Sequence, residues 1–453
     1  MGYAEEKKEF VEQMIESVLQ IPTSHVIGKR ISLKPGGKHM YGLCPFHGGH
    51  MGSFVVTDHK GLYKCFCCDA GGNSISFVSK YENKRYLEAA FDVALEEGVI
   101  THAQYQKYSK KRYEKEFVKA LIVKHENKQK VEEKEIDPVM ADKVYTFIKN
   151  FAGLSEEHRE KLKNERKLSD KRIDADYFTF PNTRKYKLIK ALKAEFPEYT
   201  TEQLMDIPGF FYNRERSELT YAGYQGIGIL IRGVNGMVRA IQIRRDVVKE
   251  GESRYVWFSS SFAQYDQEKY KGGNGCGSPK DILFPQKSKN HYSLAITEGR
   301  FKSEILAKNG SFAISVQGVS SWKGIEEDIK AILEFKTLGI NSIYIFYDAD
   351  MLSNVAVFSQ AMKLGKHLQN TFPTLNVVYV SWHESLGKGI DDLYNNGHID
   401  DVRYLSADIE KVQECILEGL LSYYGASEIK DVPEKKKEEF GALFQRTMEA
   451  ALL

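Results

Sequence analysis

Tyr292-Ser-Leu-Ala-Ile-Thr-Glu298-Gly299 and Ser342-Ile-Tyr-Ile-Phe-Tyr-Asp348-Ala-Asp350 decide how this chain is read. Each is an apolar, β-rich run that ends on acids. In an open α/β sheet the loops at the carboxyl ends of the strands line the ligand crevice, so Glu298, Asp348 and Asp350 are expected to converge there. Carboxylates gathered at one crevice repel one another and resist ionising, and a hard divalent cation such as Mg²⁺ removes that penalty. Taken singly, a strand-end acid is explained just as well as a cap on the helix that follows it. The ordered set is what argues for a metal.

Working outward, strand and helix alternate from His291: a strand to Thr297, a helix over 301–309, a strand over 312–316, a loop from Gln317 to Trp322, a helix over 325–337, a strand to Tyr347, a helix over 354–370 and a strand over 376–380. That alternation predicts a parallel sheet covered by helices. Lys388-Gly-Ile-Asp391-Asp392 comes after the last strand. The block 291–400 resembles a Toprim domain, whose signature is Glu-Gly after one strand and Asp-x-Asp after a later one, with Lys-x-x-Asp as the primase-like third element. The resemblance implies acid/base or metal chemistry for Glu298 and Mg²⁺ or Mn²⁺ binding for Asp348, Asp350 and Asp391, with Asp392 as a neighbour. This sequence departs from the pattern twice: Lys302 and Gly389 stand where the family often has Asp. Fewer acids leave the triphosphate of a nucleotide to complete the metal coordination.

A second constellation lies far upstream. Cys44-Pro-Phe-His47 and Cys65-Phe-Cys-Cys68 are two knuckles, each presenting a pair of ligands two residues apart. Four tetrahedral N/S ligands of that spacing describe a structural zinc ribbon, with Cys44, His47, Cys65 and Cys68 as the set and Cys67 as the spare. His39, His50 and His59 are read as surface or supporting residues. In a chain with no secretory signal, clustered cysteines point to metal before disulfide. Gly42-Leu-Cys-Pro-Phe-His47, Ser53-Phe54, Tyr63-Lys-Cys-Phe-Cys-Cys68 and Gly71-Gly-Asn-Ser-Ile75 resemble the CHC-type zinc domain of DnaG-like bacterial and phage primases. That likeness implies contact with a single-stranded template, which leaves Phe54, Tyr63 and Phe66 either stacking on bases or filling the core of the ribbon.

The chain has 453 residues, a net charge of +2 and no apolar run of membrane-spanning length, which predicts a soluble, cytoplasmic protein of several domains. Its fold class is multidomain α+β and α/β. Five segments are expected: a zinc-ribbon domain over 1–100, a charged, solvated helical linker over 101–136, the N-terminal part of a catalytic core over 137–290, the Toprim-like block over 291–400 and a helical segment over 401–453. In the third segment, Gly226-Ile-Gly-Ile-Leu-Ile-Arg232 and Met237-Val-Arg-Ala-Ile-Gln-Ile-Arg-Arg245 flank Asn235-Gly236, a strong hairpin signal. The hairpin is expected to gather Arg232, Arg239, Arg244 and Arg245, with Arg254 just beyond and Lys388 from the later block, as phosphate or DNA ligands. The glycine-rich loop from Gly272 to Lys280 is either an anion cradle or a hinge.

Together these resemblances imply a Mg²⁺-dependent DNA primase that makes short RNA primers from NTPs on single-stranded DNA. A phage, plasmid or integrative element would be its setting, and a replicative helicase would be supplied in trans. Two rivals are a DNA-binding or recombination-mediator protein without polymerase activity and a Toprim nuclease or topoisomerase.

Overall fold

The computed structural model describes residues 3–36, 39–46, 54–65, 70–111, 113–127, 134–249, 252–264, 266–287, 292–335, 339–351, 354–406, 417, 420, 421, 424 and 426–452. At the N-terminus, helix Tyr3–Leu19 buries Val11, Met14, Ile15 and Val18 along one stripe. The stripe packs on helices Ser74–Tyr81 and Tyr86–Glu96. Beside them lies an antiparallel sheet in sequential order: β1 (Leu33–Gly36), β2 (His39–Gly42), β3 (Phe54–Thr57), β4 (Leu62–Cys65) and β5 (Gly71–Gly72). The Gly-Gly-Asn motif has a local cause. Gly72 has φ +145°, and a Cβ there would come within 2.8 Å of Ser76. Asn73 then caps the next helix by accepting from the Ser76 amide at 2.8 Å.

The stretch expected to be a solvated linker folds back instead. Helices His102–Tyr108 and Lys115–Asn127 bury Tyr108 and Leu121 in the N-terminal core, while Lys124 pairs with Glu12 and Lys8 with Glu114. Composition signalled solvation because charged residues dominate. The few apolar positions suffice to dock both helices.

The middle segment starts with helix Pro138–Ala152, capped by the Asp137 carboxylate. It packs on a four-stranded antiparallel sheet of order β11 (Tyr255–Trp257), β10 (Val238–Arg245), β9 (Gly226–Arg232), β6 (Tyr177–Thr179). A three-stranded sheet of β7 (Phe210–Asn213), β8 (Glu218–Tyr221) and β12 (Tyr270–Lys271) adjoins it. The glycine-rich loop that links this segment to the next is packed, not open. Asn274 is fully buried and donates to the Lys134 and Asp206 carbonyls, and a Cβ at Gly273 would lie 2.5 Å from the Ser260 carbonyl oxygen.

Six strands make up the last sheet, in the order β13 (Asp281–Leu283), β15 (Ser311–Val316), β14 (Ser293–Glu298), β16 (Ser342–Phe346), β17 (Asn376–Ser381), β18 (Arg403–Ser406). The four central strands are parallel and the two edges antiparallel. Their near-continuous apolar runs are buried from both faces, as parallel strands require. From β14 the chain goes to β15 on one side and then crosses to β16 on the other. The order therefore reverses beside β14, which makes the carboxyl ends of β14 and β16 a topological switch point. β18 interrupts the segment expected to be all helical. Beyond it, Leu420, Leu421, Val432 and Phe440 complete the core of the sheet, and helix Lys437–Leu452 packs on helix Val355–Thr371. Val412, Cys415 and Ile416 lie outside the described residues. Among the described residues no helix is long and apolar enough to cross a membrane.

Candidate active site

Glu298 is the last residue of β14, and Gly299, at φ +84°, turns the chain directly into helix Arg300–Lys308. Asp348 follows β16 and leads into the 3₁₀ turn Ala349–Met351, which contains Asp350. Asp391 sits in the first turn of helix Ile390–Asn395. The Ala349 amide donates to the Lys388 carbonyl at 2.8 Å, tying the second acidic loop to the third. Glu298, Asp348 and Asp391 thus line one cleft of about 330 Å³, together with Lys302 and Arg166. Asp350 lies close enough to Glu298 to act on its ionisation but does not line the cleft.

Each aspartate of the cleft has a cation. The Lys302 ammonium donates to Asp348 Oδ1. Arg166 donates to Asp391 Oδ2 at 3.3 Å, its guanidinium lying 4.6 Å from the centre of the Phe301 ring. Burial, with Asp348 and Asp350 nearby, pushes the pKa of Glu298 up against the pull of Lys302 and Lys388. Asp391 is pushed up by burial and by Asp392, against Lys302 and Arg166. For Lys302 burial acts to lower the pKa, and Asp348 and Glu298 together outweigh it, so the ammonium is held charged.

The opposite wall comes from the middle segment. Gln242 of β10 pairs across the ladder with Trp257 of β11, and Arg244 with Tyr255. Gln242, Trp257 and Tyr255 line the cleft. Gln242 donates to Gln317 Oε1 at 2.6 Å, while its own Oε1 is buried without a partner. A donor on a ligand would satisfy that oxygen.

The arginines expected to cluster do not. The β9–β10 register places Arg232 opposite Val238, near the turn, and Arg245 opposite Gly226, at the far end. The separation is roughly 20 Å along the strands. Arg232 bonds Asp176 at 2.7 Å, Arg239 projects from a bulge to pair with Asp328 at 2.8 Å, and Arg245 pairs with Glu252. Arg244 is buried on the same side of β10 as Gln242, its Nε unpartnered. Arg254 and Lys388 are exposed and outside the cleft lining.

Beneath the cleft lies a second charged group. Arg300, only 1% exposed, donates to Asp281 and Asp176 at 2.6 Å and to Glu304 at 2.9 Å. Arg172 binds Glu304 at 3.0 Å and Asp176 at 3.1 Å, and Tyr177 donates to Glu304 at 3.2 Å. With Arg232, three guanidiniums face three carboxylates, and the group joins the middle segment to the parallel sheet.

In the N-terminal domain the registers Gly42↔Phe54 and Phe54↔Cys65 bring the ends of β2 and β4 to one edge. Cys44 and Cys65 are buried there. Two buried cysteines at the same end of a small sheet fit a zinc knuckle pair. His47 and Cys68 lie outside the described residues, as do His50, Phe66 and Cys67. His39 bonds Thr57 at 2.9 Å, with His59 beside it. Phe54 and Tyr63 are buried and stacked on one another, so both serve the core and not bases.

Residues 7–110 match the family described as the CHC2 zinc finger, and residues 285–399 match a domain of unknown function, DUF3854. Over 89 residues the chain is 39% identical to a DNA primase of Geobacillus stearothermophilus, and over 75 residues 43% identical to one of Halalkalibacterium halodurans. The chain is similar to DnaG-type primases. The likeness covers 19% and 17% of this chain and spans only 15% and 12% of those two primases. The Aquifex aeolicus primase structure, with its zinc-binding and RNA polymerase domains, aligns over 97% of this chain and 98% of its own at 19% identity and a TM-score of 0.40.

In this primase-like chain, sequence reasoning overlooked Arg166, Gln242 and the Arg300 group. Arg166 reaches an acid 225 positions away, and no local pattern announces that. Gln242 carried a signal: a lone polar side chain inside an apolar strand run.

Proposed function

We propose that this chain is a DNA primase that makes short RNA primers from NTPs on a single-stranded DNA template. The observation that carries the reading is the acid cleft at a sheet switch point, on the same chain as a zinc domain similar to those of DNA primases. We read 291–400 as Toprim-like. Phosphoryl transfer asks little covalent chemistry of the protein; it asks for position and for charge. Glu298, Asp348, Asp350 and Asp391 would hold Mg²⁺ or Mn²⁺, which when bound neutralises charge at the attacking and leaving oxygens. Arg166 offers a guanidinium at the cleft, and the Gln242 oxygen and the Trp257 and Tyr255 rings offer an acceptor and flat surfaces to a nucleotide. The setting would be cytoplasmic, with the template, NTPs and a helicase acting in trans as partners, and Cys44, His47, Cys65 and Cys68 would hold one Zn²⁺.

The ion pairs Lys302–Asp348 and Arg166–Asp391 favour a second reading, a DNA-binding or recombination-mediator protein that keeps the sheet without the chemistry. Incubation with single-stranded DNA, labelled NTPs and Mg²⁺ separates the two. Labelled oligoribonucleotides that disappear in Asp348→Ala support the primase. Binding without synthesis supports the mediator, and cleaved DNA without NTP incorporation supports a nuclease. Metal analysis of the purified chain is expected to give one zinc; none or two would overturn the ribbon.

A further inference from the structure

Positions 302 and 389, the two places where the acid pattern is broken, form one arrangement. Gly389 has φ −103°, an extended conformation that any residue adopts, so the backbone does not call for glycine there. Space does. A Cβ at Gly389 would lie 2.8 Å from Lys302 Cε and 2.4 Å from Asp391 Oδ1. The absence of a side chain at 389 therefore makes room for the Lys302 stem, whose ammonium continues to Asp348 Oδ1. Lys302 reaches the carboxylate from within the cleft, with only 18% of its side chain exposed.

We propose that the Lys302 ammonium takes the place of one divalent cation in this cleft, so that the site binds a single Mg²⁺ where in-line phosphoryl transfer commonly uses a pair. The inference rests on the nucleotidyl-transfer reading of the cleft. Three carboxylates and three cations line the cleft; Arg300 is taken up by Asp176, Asp281 and Glu304, which leaves Lys302 and Arg166 facing the three acids. A second dication would have to share Asp348 with an ammonium already bonded to it. Among the described residues no three acids, histidines or cysteines come close enough to hold a metal unaided, so nucleotide oxygens must complete the coordination of even one ion. The cleft carboxylate left without a bonded cation, Glu298, suits one ion completed by nucleotide oxygens. A lysine is a compact point charge with three donors and, unlike a metal, opens no coordination position for a hydroxyl.

Mn²⁺ binding to the full chain, read from the paramagnetic resonance of free Mn²⁺ with and without a non-hydrolysable NTP, tests this. The wild type is expected to bind one Mn²⁺. Lys302→Met is expected to bind a second ion or, with a repelling ammonium removed, to bind the first about tenfold tighter. Gly389→Ala, whose Cβ meets both the Asp391 carboxylate and the lysine stem, should move the same way where displacement of the lysine dominates, and the double variant no further than Lys302→Met alone. Circular dichroism identifies a variant that fails to fold, leaving the other to decide. Zero or two Mn²⁺ in the wild type, or unchanged binding in a folded variant, would overturn the proposal. Failure of the activity reads differently. One Mn²⁺ in the wild type, tighter binding in the variants and no oligoribonucleotide from any of them would overturn the primase reading and leave the charge substitution intact.

Discussion

Glu298 and Arg300 are two residues apart, yet they serve charge clusters of opposite kinds. Arg300 enters a closed group in which Arg172, Arg232 and Arg300 meet Asp176, Asp281 and Glu304, with its own guanidinium spread over all three carboxylates. Glu298 faces an open cleft where Asp348 and Asp391 are each held by one cation and a buried amide oxygen has no partner. Similar side chains, packed against the same strand end, give a joint in one place and a site in the other. The difference is completeness. In the Arg300 group every carboxylate is buried and met by a guanidinium, while the cleft retains a buried acceptor, Gln242 Oε1, that has no partner.

The contrast is broken most readily by removing one cation from each cluster. Arg300→Met removes the cation of the fully buried Asp281 and leaves Asp176 and Glu304 to Arg172 and Arg232, and is expected to cost about 3–5 kcal/mol in denaturant unfolding. Lys302→Met leaves one carboxylate, Asp348, with 16% of its side chain open to the cleft, and is expected to cost less, about 2 kcal/mol. Equal costs would mean that the two clusters are not distinct.

Acid sharpens the comparison. Burial acts to raise the pKa of Asp176 and Glu304, but the surrounding arginines outweigh it and hold both below the ordinary carboxylate value. The stability they contribute is therefore fully present above the unfolded carboxylate pKa of about 4 and is lost as pH falls through their lower folded values. Asp281 is raised by burial and offsets part of this. Unfolding midpoints measured downward from pH 6 are expected to drop below about pH 4, and the drop should be shallower in Arg300→Met. An unchanged slope in that variant would place the acid sensitivity elsewhere. The smallest effect is expected from Tyr177→Phe, which removes one donor to Glu304 and should cost about 1 kcal/mol.

How far the sequence reaches follows the same division. The parallel sheet and its acids were legible because β14 and β16 are short apolar runs ending on carboxylates, a pattern confined to a few neighbouring residues. The likeness to a zinc finger was legible through the spacing of the cysteines. The hairpin was legible as a hairpin, but its arginines misled, because proximity along a sequence says nothing about which end of a two-stranded ladder a residue occupies or whether its charge is already taken. Arg232 and Arg239 are bound by Asp176 and Asp328, residues that local patterning does not single out. The linker misled for a related reason: Tyr108 and Leu121 dock helices whose composition is otherwise that of a solvated face.

The most direct test of the whole account is primer synthesis by Asp348→Ala compared with wild type, on single-stranded DNA with labelled NTPs and Mg²⁺, with thermal unfolding measured on the same samples. The account predicts oligoribonucleotides from the wild type, a loss of about 100-fold or more in the variant and little change in its unfolding midpoint, because the cleft is a site and not a joint. Undiminished synthesis in a folded Asp348→Ala, or none from the wild type, would contradict it.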